Sequence, residues 1–155
     1  MHRILILFLL ISFNNHAQIE NNFEEVYPIF PICKLIPDNK QNKCFDESMF
    51  EHIENNFSYP QTAWDLDLES LVRIRFDINE SGIVNNIIAS AAVVGISFIE
   101  REALSAAESM FEVAAANIIR KLPQMTPAKR DGKPFKKTFQ ISVEYKIPKQ
   151  LDFDE

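Results

Sequence analysis

The chain of 155 residues carries 16 Lys plus Arg against 22 Asp plus Glu, a formal net charge of −6, and is 46% apolar. That length and apolar content suit one domain with its own core and exclude an intrinsically disordered protein. The negative charge argues against nucleic acid as a partner, because phosphate binding requires a basic face. With only 3 Gly and 3 His, the chain has no glycine-rich phosphate loop and little equipment for catalysis.

The N-terminus has the layout of a secretory signal. Arg3 supplies a positive start, residues 4–13 are apolar apart from one serine, and a polar stretch with the small residue Ala17 follows. Residues 1–18 are therefore predicted to be a signal peptide, cleaved after Ala17 or Gln18. A retained membrane anchor is the less favoured alternative, because the apolar run is about half of the roughly 20 residues that span a bilayer.

Export changes the interpretation of the two cysteines. Residues 19–45 form an irregular, proline-containing lead-in that holds both Cys33 and Cys44. In an oxidising compartment such a pair is typically a disulfide, although two unpaired thiols remain an alternative. A zinc site is the poorest interpretation, because His52 is the only nearby imidazole and four ligands are required.

A helix is predicted after this lead-in. Asp46 or Ser48 can cap it, and Glu51 completes a capping box with Ser48. Tyr59 and Pro60 end the helix, and Pro60 suits the first turn of a short second helix. The apolar residues of the first helix, at helical spacing, are Met49, Phe50, Ile53 and Phe57.

A β-hairpin comes next. Apolar and polar residues alternate over residues 72–78, which is typical of a strand with one buried and one solvated face. The polar segment 79–82 predicts a tight turn in which Gly82 takes a positive φ. A second strand is predicted from Ile83 to about Ala91.

The rest of the chain predicts a helical region, a loop and a last strand. Ser97 and Glu100 form another capping box, and an apolar stripe runs to Leu122, as one long helix or as two with a break near Phe111. Residues 123–134 are predicted to be a loop. The last strand alternates Phe139, Ile141, Val143, Tyr145 and Ile147 with Gln140, Ser142, Glu144 and Lys146. The acidic tail, residues 149–155, follows it.

The order of these elements predicts an α+β fold, a small antiparallel sheet of about three strands with helices packed on one face. The expected strand order is second, first, third, which leaves the last strand on an edge of the sheet. An alternating edge strand with unpaired backbone groups is a template for another strand.

Several segments resemble the C-terminal domain of the TonB energy-transducer family. The segments are YPQTA at 59–63, VRIRFDI at 72–78 and GIVNN at 82–86, which match the family's YPxxA, VxVxFxI and GxV motifs in order. Residues 122–134 resemble the family's proline and lysine loop before its last strand. The resemblance assigns residues 46–148 to a domain of this kind, in the form found in Bacteroidetes-type envelopes.

The resemblance implies a periplasmic protein-binding module that takes no cofactor. It would bind the peptide segment of a TonB-dependent outer-membrane transporter by strand addition at the sheet edge. Inner-membrane motor proteins and a second copy of the chain are further candidate partners. By position, the contact residues implied by the family are Asn56, Tyr59, Pro60, Phe139, Gln140, Ile141, Ser142, Val143, Glu144 and Tyr145.

Other interpretations of these residues stay open. Tyr59 and Pro60 are also suited to a structural role at a helix end. Arg73 and Arg75 suit a solvated face better than a binding patch, and the basic residues between 129 and 137 suit a solvated loop or a docking place for an acidic peptide.

Two departures from the family affect the functional expectation. The chain lacks the membrane helix and the long proline-rich spacer of a full transducer, and the stretch from Ala91 to Ala116 is longer than the family's usual connection between the second strand and the helix. The alternative function is therefore a stand-alone envelope structural or adaptor protein that self-associates without energy coupling. A secreted enzyme is disfavoured, because no motif places a nucleophile with a base or gathers metal ligands.

Overall fold

A computed structural model describes residues 25–94 and 100–148 of the chain. The predicted signal peptide and the acidic tail lie outside the described residues, so both stay predictions. Among the described residues the structure has three helices and six strands. The helices are α1 (Asp38–Asn56), α2 (Gln61–Asp65) and α3 (Arg101–Arg120), and the strands are β1 (Glu25–Val26), β2 (Glu69–Ile78), β3 (Val84–Val94), β4 (Lys129–Arg130), β5 (Lys133–Pro134) and β6 (Lys137–Tyr145).

The predicted fold class is confirmed: the main sheet is antiparallel, has three strands in the order β3-β2-β6, and carries its helices on one face. Alternation along β2 explains this arrangement. Val72, Ile74, Phe76 and Ile78 are fully buried under the helices, whereas Arg73 and Arg75 are exposed on the opposite face. Because helices α1 and α3 supply the other wall of the core, the outer edge of β6 is left at the side of the domain.

The first helix starts earlier than predicted. It begins at Asp38, with Pro37 at its N-cap, so the predicted irregular lead-in over residues 19–45 is wrong for its last eight residues. Asp46 and Ser48 lie inside the helix and do not cap it. Phe45 and Met49 are four residues apart and both buried, so packing against the sheet stabilises the turns around them although residues 38–43 have no apolar periodicity.

The region after β3 is also clearer in the structure. The structure has one continuous helix, α3, which is the first of the two predicted alternatives, and its N-cap is Glu100 without a side-chain hydrogen bond. The predicted capping box is therefore wrong, and Ser97 lies outside the described residues. The last strand ends at Tyr145, two residues before the predicted Ile147.

A second, small sheet was not predicted. Strands β4 and β5 form a hairpin whose turn holds Asp131 and Gly132 at φ of 50° and 77°, and β1 pairs with β4. The prediction of a plain loop over residues 123–134 is thus wrong in part. Asp-Gly is a strong signal for a two-residue hairpin turn, because both positions require a positive φ.

Candidate functional site

The backbone groups of the β6 edge can be assigned from the pairing of its neighbours. In an antiparallel sheet, successive residues of a strand bond alternately to its two sides. The Asn79 N–H donates to the Ile83 carbonyl at 3.0 Å, at the end of the β2–β3 hairpin, so the odd-numbered residues of β2 bond to β3. The even-numbered residues therefore bond to β6, where Val72 pairs with Val143 and Ile74 with Ile141.

The even-numbered residues of β6 consequently direct their N–H and C=O groups away from the sheet. Within the described residues, no strand pairs with this outer edge. The side chains of the same residues are exposed on the open face of the sheet. The residues concerned are Thr138, Gln140, Ser142 and Glu144.

An apolar trough runs between α1 and this edge. Two adjoining depressions of about 410 and 320 Å³ lie between the helix and β6. Phe50 and Phe57, on the helix side, are 62% and 41% exposed, and Ile53 is half-buried between them. Large apolar side chains are seldom grouped in this way on a surface without a binding role. The edge and the trough together have the form of a groove for an extended peptide.

The ends of the trough are held by aromatic packing. Phe57 stacks on Tyr145 with ring centroids 4.9 Å apart, and Phe45 stacks on Phe139 at 5.1 Å. Tyr145 is fully buried, and this burial, followed by the effect of Tyr59, raises its pKa to about 12. The alternate residues of β6 thus belong to the core, which leaves the backbone and the outward side chains of the strand for a partner.

Tyr59 has a structural position in the same aromatic cluster. Its hydroxyl donates to the Leu68 carbonyl at 2.5 Å, and its ring contacts the rings of Trp64, Phe111 and Tyr145 edge to face or nearly so. Burial is the main cause that raises the pKa of this phenol. Tyr59 therefore packs the end of α1 under the sheet, and it contacts the candidate site through the rings of Tyr145 and Phe57.

Asn56 and Pro60 lie apart from the β6 edge. The Asn56 amide donates to the His52 carbonyl at 2.9 Å, and the His52 ring nitrogen Nε2 lies 2.9 Å from the Ile118 carbonyl. Pro60 is the N-cap of α2. Both Asn56 and Pro60 line a separate groove of about 850 Å³ against α3. The structure thus does not bring these two predicted contact residues together with β6.

The start of β6 is fixed by charges. Glu25 accepts hydrogen bonds from Lys137 and, at 3.1 Å, from Arg130, and the bond from Lys137 is the main cause that lowers the pKa of Glu25. Lys136 lies 3.4 Å from the carboxylate of Asp77. Three cations of the predicted basic cluster therefore have internal acidic partners, which weakens the expectation that an acidic peptide docks there.

The buried carboxylate of Asp77, on β2, joins all three strands of the sheet near the start of β6. Its two carboxylate oxygens accept hydrogen bonds from Asn86 at 2.8 Å and from Thr138 at 2.6 Å. The bond from Asn86 is the largest of several causes that lower the pKa of this buried carboxyl. A buried acid with both oxygens satisfied keeps the start of β6 in register with β2, where Asp77 pairs with Thr138.

Cys33 and Cys44 are joined by a disulfide with Cα atoms 6.0 Å apart. Cys33 is fully buried in a short 3-10 turn, Pro31–Cys33, whereas Cys44 lies on α1. The bond therefore ties the lead-in to the helix that forms one wall of the trough. Within residues 25–94 and 100–148, no group of three or more His, Cys, Asp or Glu could hold a metal ion.

Sequence reasoning missed the helix side of the groove. Phe50 was assigned to the apolar stripe of the first helix, but it faces the solvent beside β6, and Glu54 lines the trough next to Phe57. The sequence signal for an exposed Phe50 is the width of the apolar stripe on the first helix. Met49 and Phe50 are adjacent and so lie about 100° apart around the helix, which places at least one of them near the margin of the stripe that faces the core.

Comparisons with known proteins give little support beyond the residues themselves. No family model matches the chain, and no curated protein matches it. Among solved structures, the chain is similar to the solution structure of the Helicobacter pylori TonB C-terminal domain, residues 179–285, at 22% identity and a TM-score of 0.36. That match covers 64% of this chain and 78% of the other. In the part of the chain that the structure describes, no helix is both long and apolar enough to cross a membrane.

Proposed function

We propose that the protein is a binding module that takes up an extended peptide as a fourth strand beside β6. The observation that carries this proposal is the outer edge of β6, which faces an apolar trough and pairs with no described strand. Strand addition draws affinity from backbone hydrogen bonds and specificity from alternate side chains. The module needs no nucleophile and no metal for this activity.

The trough is as important as the edge. Each backbone hydrogen bond contributes about 1 kcal/mol net, whereas association costs on the order of 4–15 kcal/mol. The outward groups of Gln140, Ser142 and Glu144 alone would therefore give a weak complex. Burial of the exposed parts of Phe50 and Phe57 under the peptide adds apolar contact, at up to about 1.5–3 kcal/mol for a fully buried side chain.

The transporter segment is the proposed partner because of the family motifs. The segments at 59–63, 72–78 and 82–86 resemble the TonB C-terminal domain, which implies a peptide from an outer-membrane transporter. Export to the periplasm is part of the proposal, supported by the signal-like N-terminus and by the disulfide. Intact mass measurement on protein from the cell-envelope fraction tests export: a chain that keeps residues 1–18 would contradict cleavage.

A pair of proline substitutions tests the binding edge. Ser142→Pro removes an outward N–H from the middle of the β6 edge and leaves the bonds to β2 in place, since an edge position tolerates proline. We expect binding of transporter-derived peptides, measured by calorimetry, to weaken at least about tenfold, which corresponds to about 1.4 kcal/mol.

Ala89→Pro is the matched control, because it removes an outward N–H from the other edge of the same sheet, on β3. This variant should bind peptide as the unchanged protein does. Equal affinity of a folded Ser142→Pro variant would contradict strand addition at β6, as would an equal loss in both variants.

A further inference from the structure

The main sheet has a second open edge, on β3. No described strand pairs with the outer side of this strand. The Ala91 N–H points away from β2, and by the same alternation so do the N–H groups of Ala89 and Val93. The eleven residues of Val84–Val94 include no charged residue and no proline. Ile88 and Val94 add apolar surface, at 61% and 48% exposed.

Such a strand is prone to pair with a copy of itself. Segments with no charge and no proline are among those that stack edge to edge. Natural sheets protect their edges with charged side chains, prolines or bulges. The bulge of this hairpin lies between residues 85 and 88, so it leaves the pairing of the stretch from Ala89 to Val94 regular. By contrast, β6 carries Lys137 and Glu144.

A side chain from α3 supplies the missing protection. The Glu112 carboxylate accepts a hydrogen bond from the Ala91 N–H at 3.1 Å. This carboxylate occupies the place where a carbonyl oxygen of an added strand would lie. Its negative charge would also repel that carbonyl. A hydrogen bond from a backbone N–H to an ionised acceptor is about twice as strong as a neutral one.

We propose that the β3 edge is a latent surface for pairing with a second copy of this chain, and that Glu112 keeps it closed. The hydrogen bond between Glu112 and the Ala91 N–H explains why a sheet with two unpaired edges would accept a partner only at β6. The inference goes beyond peptide binding and stands without it, because it concerns a different edge and a different partner.

The Glu112→Ala variant tests whether Glu112 keeps the β3 edge closed. Alanine favours the helix and removes both the acceptor and the charge, so the fold should persist. At a protein concentration low enough to keep the variant monomeric, we expect the Ala91 amide to exchange at least tenfold faster than in the unchanged protein. In sedimentation velocity over a concentration series, we expect the dimerisation constant to tighten at least tenfold relative to the unchanged protein. Glu108→Ala, which removes an equal charge from the same helix, should change neither quantity.

Second-site prolines identify the edge that pairs. Ala89→Pro in the Glu112→Ala background should return the protein to the association state of the unchanged chain, whereas Ser142→Pro in that background should not. The proposal is overturned if the Ala91 amide of monomeric Glu112→Ala exchanges as in the unchanged protein, or if Glu112→Ala stays as monomeric as the unchanged protein. It is also overturned if, in the Glu112→Ala background, Ser142→Pro dissolves the dimer and Ala89→Pro does not. None of these readouts uses a transporter peptide, so they are independent of the proposed function.

Discussion

Replacing Gly82 with alanine is expected to destabilise the domain by at least about 3 kcal/mol, from left-handed backbone strain and a forced backbone shift together. Gly82 has φ of +75°, and a Cβ atom there would lie 1.7 Å from the Met125 carbonyl oxygen. The Met125 N–H donates to the Gly82 carbonyl at 2.9 Å, so the substitution would separate the hairpin turn from the segment after α3.

Gly132→Ala is the matched control for this prediction. Gly132 has nearly the same φ, +77°, but a Cβ atom there would meet nothing within 4 Å. It should cost only about 1 kcal/mol, from the left-handed conformation alone. Urea unfolding of both variants measures the difference. Similar losses in the two variants would show that close contact with Met125 does not matter.

Loss of the disulfide has the second largest expected effect. The bond closes a loop between residues separated by 11 positions, for which loop-closure entropy gives about 3 kcal/mol of stabilisation. For a domain of this size, that corresponds to a fall in Tm of about 6–12 °C. Thermal unfolding with and without a reductant measures it.

The Cys33→Ala, Cys44→Ala double variant serves as the control, because it should unfold at the lowered Tm and be insensitive to the reductant. Its Tm would equal that of the oxidised protein if the lead-in were held to α1 by packing alone. Reduction should also loosen the wall of the trough, because Cys44 lies on the helix that carries Phe50.

The strands were predictable from sequence because their alternation has a single physical cause. Val72, Ile74, Phe76 and Ile78 had to face a core, and Gly82 had to turn the chain, so β2, the turn and β3 followed. The edge position of β6 followed from the order of the elements. In each case local pattern and tertiary packing favour the same structure.

The start of α1 and the helix side of the groove could not be predicted in the same way. Residues 38–43 are polar, and their helical structure depends on tertiary contacts further along, at Phe45 and Met49. Whether Phe50 points into the core or beside β6 depends on the rotation of α1 over the sheet. Neither helix propensity nor the period of the apolar residues determines the rotation of α1 about its axis to the accuracy of one residue position.

Amide hydrogen exchange followed by NMR, with and without a bound transporter peptide, tests strand addition at β6 most directly. If the peptide adds a strand there, exchange slows at Gln140, Ser142 and Glu144, whose N–H groups face outward, and stays unchanged at Ala89 and Val93 on the other edge. Protection that appears on β3, or in the groove between α2 and α3, with none on β6 would contradict the proposed function.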